Sequence, residues 1–278
     1  MKILLVDQDA LTTQMVRSKV EALGHMVVEE PVKNNAVDRM AADDFDVVLL
    51  DPSPLTSPRP LILNARRSVR NYPYIMLMSE TIPQDAALKA GANDLLVKPV
   101  DPAALEQKLA NAQRLIELVQ RIGDDSEDFP SAGGVIAKSA INQLFLSAMD
   151  RADRYGERTF ILQISLSNHQ EILDLDGAYA AEFAVAKLCQ YLVLLRRQSD
   201  IIGQTGKNEY SLLLQRPIYE TEPVEAANRF AEQLAGFGDI DASGKTAVEI
   251  TVSLLDVPAG AEIISHVFKP GETAGATG

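Results

Sequence analysis

Five short apolar runs punctuate the start of the chain: KILLV (2–6), MVVEE (26–30), DVVLL (46–50), YIMLM (74–78) and DLLV (94–97). Segments of helical character separate them, among them ALTTQMVRSKVEAL and PVKNNAVDRMAA. Apolar strands alternating with helices are the pattern of a parallel sheet covered on both faces. The first half therefore reads as α/β, a doubly wound five-stranded parallel domain. In such sheets ligands sit beyond the carboxyl ends of the strands, which singles out Asp7-Gln8-Asp9, Asp51, Ser79 and Lys98-Pro99.

Carboxylates, a hydroxyl and a lysine arriving from separate strand ends suit phosphoryl transfer onto a carboxylate with a magnesium ion. Asp51 would be the in-line nucleophile and phosphoacceptor, with Ser79 donating to a phosphoryl oxygen and Lys98 neutralising the developing charge. Asp7, Asp9 and Asp51 are the candidate metal ligands. Residues 1–122 resemble two-component receiver domains, and GANDLLVKPVD is similar to that family's last strand and Lys-Pro turn. Three departures stand out. The second of the family's two adjacent acids is Gln8, a weaker ligand for magnesium. The loop PSPLTSPRPL carries four prolines in place of a Met-Pro-Gly-like continuation, and Leu95 stands where an aromatic switch residue is usual. The expectation is a pseudo-receiver that folds and dimerises without being phosphorylated. The alternative is a phosphorylation-gated response regulator in which Asp9 restores part of the lost charge.

After Asp101 the run PAALEQKLANAQRLIELVQRI spaces Leu105, Leu109, Ala112, Ile116 and Val119 as a heptad seam. This favours a helical stalk and a homodimer contact. GDDSEDFPSAGG (123–134) combines acids with Pro, Ser and Gly and reads as a linker. Two domains follow: 1–122 with an extended last helix, and 135–270 after the linker, with a disordered tail at 271–278. The net charge of −13 and the lack of a basic run argue against a nucleic-acid partner. Only four apolar residues precede Asp7, too few for a signal peptide or membrane anchor, so the expected location is the cytoplasm. The single Cys189 lies in an apolar helical stretch, and His25, His169 and His266 lack metal spacing.

Beyond the linker the order is helix, strand (TFILQISL), a helix-rich span, the hairpin DIIGQTGKNEYSLLLQ, a helix (EPVEAANRFAEQLAGF) and the strand AVEITVSLLDV. This order resembles the GGDEF family of diguanylate cyclases over about residues 135–258, an α/β fold with a mixed central sheet, with GKNEY standing where GGDEF stands. What the resemblance implies about chemistry is loss. The two metal carboxylates are Ser165 and Asn208, and the guanine-recognising positions are Leu173 and Glu182. Lys207 fills the place of a glycine where backbone must approach phosphate. Glu209 alone survives, and a lone acid at a turn reads as a solvated charge. The last family helix is not evident: AEIISHVF reads as a short apolar piece before the tail.

One binding element persists. Arg197-Gln198-Ser199-Asp200 matches that family's RxxD site for cyclic di-GMP, with Asp200 six residues before Gly206. A guanidinium fork can pair with guanine or clamp a phosphate, and a carboxylate can accept from guanine N–H groups. Arg121-Ile122-Gly123-Asp124 spells the same pattern outside that register. The expectation is a non-enzymatic bacterial signalling protein that needs no cofactor, with cyclic di-GMP as candidate ligand at Arg197 and Asp200 and a protein partner downstream. The alternative is a ligand-free interaction scaffold.

Overall fold

The computed structural model describes residues 1–271 apart from 56, 70, 71, 130, 132, 199 and 241–244. Packing divides the chain into two compact units. The first is Met1–Gln120 with Ser147–Arg158 and Val257–Ala261; the second is Arg121–Leu146, Thr159–Asp256 and the segment from Glu262 onward.

In the first unit β1 (Lys2–Val6), β2 (Met26–Glu29), β3 (Val47–Leu50), β4 (Tyr74–Ser79) and β5 (Asp94–Val97) pair in parallel, in the order β2-β1-β3-β4-β5. Connecting them are α1 (Ala10–Ala22), α2 (Ala36–Ala42), α3 (Arg59–Ser68) and α4 (Gln84–Lys89), with α5 (Pro102–Gly123) last. The continuous apolar runs β3 and β4 are buried along their whole length, as central strands must be. Strand order reverses between β1 and β3, and this opens a crevice at their carboxyl ends, where Asp7 and Asp51 emerge.

Two segments remote in sequence complete this unit around Asn93, which is fully buried. Its Oδ1 accepts from Arg66 Nη2 at 2.6 Å and from the Ile75 amide at 2.8 Å, while its Nδ2 donates to Pro258 O at 3.0 Å and Tyr72 Oη at 3.2 Å. Arg66 also pairs with Asp153 at 3.5 Å. Burial pushes the Tyr72 phenol well up and raises the Asp153 carboxyl. Gly260 (φ +73°) lies so close to α5 that a Cβ would fall 2.3 Å from Asn111 O. Only glycine fits there.

Along α5 the buried row is Leu105, Leu109, Ala112, Leu115, Leu118 and Ile122, while Ile116 and Val119 are half-buried. The expected heptad seam is thus corrected after Ala112. From there the buried stripe runs on through Leu115, Leu118 and Ile122 against the helix's own chain, and Leu109 is buried in the same stripe.

The second unit takes the first part of α6 (Lys138–Tyr155) together with β6 (Thr159–Leu166), α7 (His169–Asp176), α8 (Ala178–Leu195), β7 (Ile202–Gly206), β8 (Glu209–Gln215), α9 (Glu222–Ala235), β9 (Ile250–Val257) and β10 (Glu262–Phe268). Sheet order is β10-β9-β6-β8-β7. The pairs β10/β9, β6/β8 and β7/β8 are antiparallel, and Ile136 adds a parallel bridge to Gly203. At Gly203 a Cβ would lie 2.7 Å from Ile141 Cβ, so the missing side chain lets β7 lie directly on α6. The core joins Ile164, Leu188, Leu192, Leu212, Phe230 and Val252. α8 is long and apolar enough to span a membrane, but it packs Ala180, Ala181, Ala184, Leu188 and Leu192 into this core. Cys189 packs against the same cluster. β10 corrects the expectation of a mere apolar piece at EIISHVF: the segment alternates exposed and half-buried residues and pairs with β9. The tail expected to be disordered lies, from residue 272 on, outside the described residues.

Candidate functional site

The parallel sheet brings Asp7, Asp51 and Lys98 together. Asp7 follows β1, Asp51 follows β3, and Lys98 follows β5, each at a strand's carboxyl end. Lys98 Nζ lies 2.6 Å from Asp7 Oδ2 and also pairs with Asp51 Oδ2. Asp51 Oδ1 accepts from the Ser53 amide at 2.7 Å. Burial alone would raise the Asp51 carboxyl; the Lys98 ammonium and the Ser53 amide outweigh it and hold the group below the usual carboxylate range. Burial would likewise lower Lys98, but its two carboxylate partners raise it. A cleft of about 200 Å³ opens beside them, lined by Asp7, Gln8, Asp9, Lys33, Asp51 and Ser53.

Two expected members are placed differently. Ser79 is buried, its hydroxyl oxygen accepting from the Thr81 and Ile82 amides at 3.2 Å each, and it lines a neighbouring hollow with Pro52, Ser53 and Thr81. Asp9 is the N-cap of α1: its carboxylate accepts from the Leu11 amide at 3.1 Å and Thr12 Oγ1 at 2.6 Å. Among the described residues no three His, Cys, Asp or Glu side chains gather as a ligand set. Lys33 Nζ donates to the carbonyls of Pro52 (3.4 Å) and Ser53, so two ammonium groups already hold the oxygens nearest Asp51. The residues present do not fit a magnesium ion.

In the second unit Arg197 and Asp200 close a turn after α8. The Arg197 amide donates to Asp200 Oδ2 at 2.8 Å, and the Asp200 amide donates back to Arg197 O at 3.0 Å. Ser199 of the motif lies outside the described residues. Arg229 on α9 donates to the same Asp200 oxygen at 3.3 Å, and its buried Nε has no protein hydrogen-bond partner among the described residues. A hollow of about 230 Å³ is lined by Arg197, Asp200, Arg216, Glu222 and Arg229. Arg216 has φ +52°, a left-handed conformation costing roughly 1–2 kcal/mol for a residue with a Cβ. Three arginines and two carboxylates, Asp200 and Glu222, thus line the hollow, with Arg229 the guanidinium in contact with Asp200. Sequence reading missed Arg216 and Arg229, because they lie beyond the motif and the fold alone brings them to it.

The other RxxD copy is engaged elsewhere. Arg121 pairs with Glu209 Oε2 at 3.0 Å, and Asp124 accepts from the Ser126 amide at 3.0 Å. Glu209 is therefore no solvated charge. Its Oε1 also accepts from Thr205 Oγ1 at 2.6 Å and Gln163 Nε2 at 3.3 Å. Lys207 pairs with Glu127 at 3.0 Å. Asn208 Nδ2 donates to Leu166 O at 2.7 Å, and the Asn208 backbone carbonyl accepts from the Leu166 amide at 3.0 Å. Ser165 stands opposite Glu209 in the sheet register. Leu173 packs on the core and Glu182 is exposed on α8.

No family model matches the chain. An uncharacterised 76.5 kDa protein of Thiocystis violacea is 26% identical over 268 residues, 93% of this chain. The two-component response regulator PhoP of Pseudomonas aeruginosa is 30% identical over 112 residues, 39% of this chain. The chain spans 38% and 50% of the lengths of these two relatives. Among solved structures, the chemotaxis response regulator CheY4 of Vibrio cholerae covers 40% of the chain and 97% of its own length at 25% identity, TM-score 0.37. The GGDEF domain of YfiN (TpbB) from Pseudomonas aeruginosa covers 43% and 74% at 17% identity, TM-score 0.37. Sheet order defines the fold class: a doubly wound five-stranded parallel α/β domain followed by a second α/β domain with its own five-stranded sheet.

Proposed function

We propose that the chain is a non-enzymatic signalling protein that binds cyclic di-GMP in the Arg197–Asp200 hollow and passes occupancy to a protein partner. The observation that carries this reading is a hollow of about 230 Å³ lined by Arg197, Arg216 and Arg229 together with Asp200 and Glu222. A cyclic dinucleotide carries two phosphates and two guanines, and forked donors beside a carboxylate answer both. Cyclase turnover needs carboxylates for metal, and Ser165 and Asn208 supply none. Asn208 spends its amide on the backbone of β6. The receiver-like domain acts as a pseudo-receiver, with Asp51 held by Lys98.

Calorimetric titration tests the reading. Cyclic di-GMP should release heat with the native chain at micromolar concentration, and Arg197→Ala and Arg229→Ala should each weaken binding about tenfold or more, the loss expected for a charge-assisted contact of about 1.5–3 kcal/mol. Absence of heat from the native chain above the micromolar range would sink it. That outcome favours the ligand-free scaffold, for which the Asp200–Arg229 pair is a structural contact.

A further inference from the structure

We propose that Lys33 is a built-in replacement for the divalent cation of the receiver-like pocket, so that the pocket works without magnesium. A hard divalent ion is held by carboxylate and carbonyl oxygens, about six of them, with little tolerance for a competing cation. The oxygens available here belong to Asp7, Asp51 and the backbone carbonyls that follow Asp51. Lys98 takes the two carboxylates, at 2.6 Å from Asp7 and in direct contact with Asp51. Lys33 takes the carbonyls of Pro52 and Ser53. Asp9 faces Leu11 and Thr12 instead, and Gln8 offers a neutral amide.

Lys33 is held there by a built loop. It opens the 3-10 turn Lys33–Asn35, and that turn is fixed by Glu30, itself buried. Glu30 Oε1 accepts from the Val32 amide at 3.0 Å and from Asn35 Nδ2 at 3.3 Å, while Oε2 meets Arg39 at 3.2 Å. Glu30 is thus a positioning residue for the ammonium. Three carboxylates, Asp7, Asp9 and Asp51, border the pocket, and the ammonium groups of Lys33 and Lys98 offset two of them without a bound ion. A magnesium ion would have to displace Lys33 from its carbonyls and would meet its charge at close range.

Manganese(II), a spin-active stand-in for magnesium, gives the test on the full chain. The free aqueous ion signal in electron paramagnetic resonance should be undiminished by the native protein up to about millimolar ion. Gln8→Asp alone should change this little; Lys33→Gln with Gln8→Asp should lower the free signal and bind at least tenfold more tightly, a difference of about 1.4 kcal/mol. Lys33→Arg with Gln8→Asp, which keeps the charge, should stay refractory. Matching urea midpoints would show that the variants remain folded, and Lys33→Ala with Gln8→Asp serves as a second charge-removing variant. Sub-millimolar binding by the native chain, or equal binding by Gln8→Asp with and without Lys33, overturns the proposal.

Discussion

Asn208 and Glu209 show how two neighbouring turn residues are held by separate partners. An amide at 208 can donate, and it donates to the Leu166 carbonyl at 2.7 Å; a carboxylate at neutral pH cannot. Asn208→Asp would set two acceptors against each other in a half-buried place. It should lower stability by about 1 kcal/mol, read as a lower urea midpoint, with no gain of cyclase activity. An unchanged midpoint would mean that water takes over the carbonyl at no cost. That positions 165 and 208 carry no acid was legible in the sequence, because residue identity is read directly. The partners of Glu209 were not: Arg121, Gln163 and Thr205 reach it across 88, 46 and 4 residues, and only the sheet register brings Gln163 near it. Arg229 and Lys33 escaped for the same reason.

Among the elements, the strands of the first unit were read almost to the residue, since β1, β3 and β4 are apolar runs buried almost throughout, and even the more exposed edge strand β2 is centred on two valines. Two elements resisted. β10 has only one half-buried face, so its mixed sequence EIISHVF read as a short apolar piece rather than as a strand. In α5 the apolar residues are dense enough to support two stripes, and packing chose Leu115, Leu118 and Ile122 over Ile116 and Val119. That choice is measurable. Leu118→Ala should cost about 2–5 kcal/mol by leaving a cavity. Ile116→Ala, at a half-buried position, should cost less than half as much in the same urea titration. Equal losses would restore the heptad reading.

At the scale of the whole molecule, acid relieves part of the self-repulsion of a chain of charge −13, so an acid loss of stability has to come from paired carboxylates such as Asp51. The Asp51 carboxyl is depressed in the folded state, so its contribution is present above the unfolded value of about 3.9 and is lost as pH falls through the folded one. Lys98 is raised, so its contribution is present below about 10.4 and is lost as pH climbs through its folded value. Between these limits the pair contributes a plateau. Urea midpoints recorded from pH 3 to pH 9 should be flat over the middle of the range and fall on the acid side. Asp51→Asn should lower the plateau and soften the acid fall, and a curve parallel to the native one would contradict the pairing. The two-domain order was visible in the sequence, whereas the enlistment of Ser147–Arg158 and Val257–Ala261 by the first unit was not, because it depends on one buried asparagine far from both. Lys33 carries a different kind of consequence. An ion delivered by solution has an affinity and can be stripped by a chelator or starved by the cell; an ammonium tethered to the backbone is installed when the protein folds. Its supply cannot vary, and the only chemistry that could remove its charge is modification of the amine itself, such as acetylation.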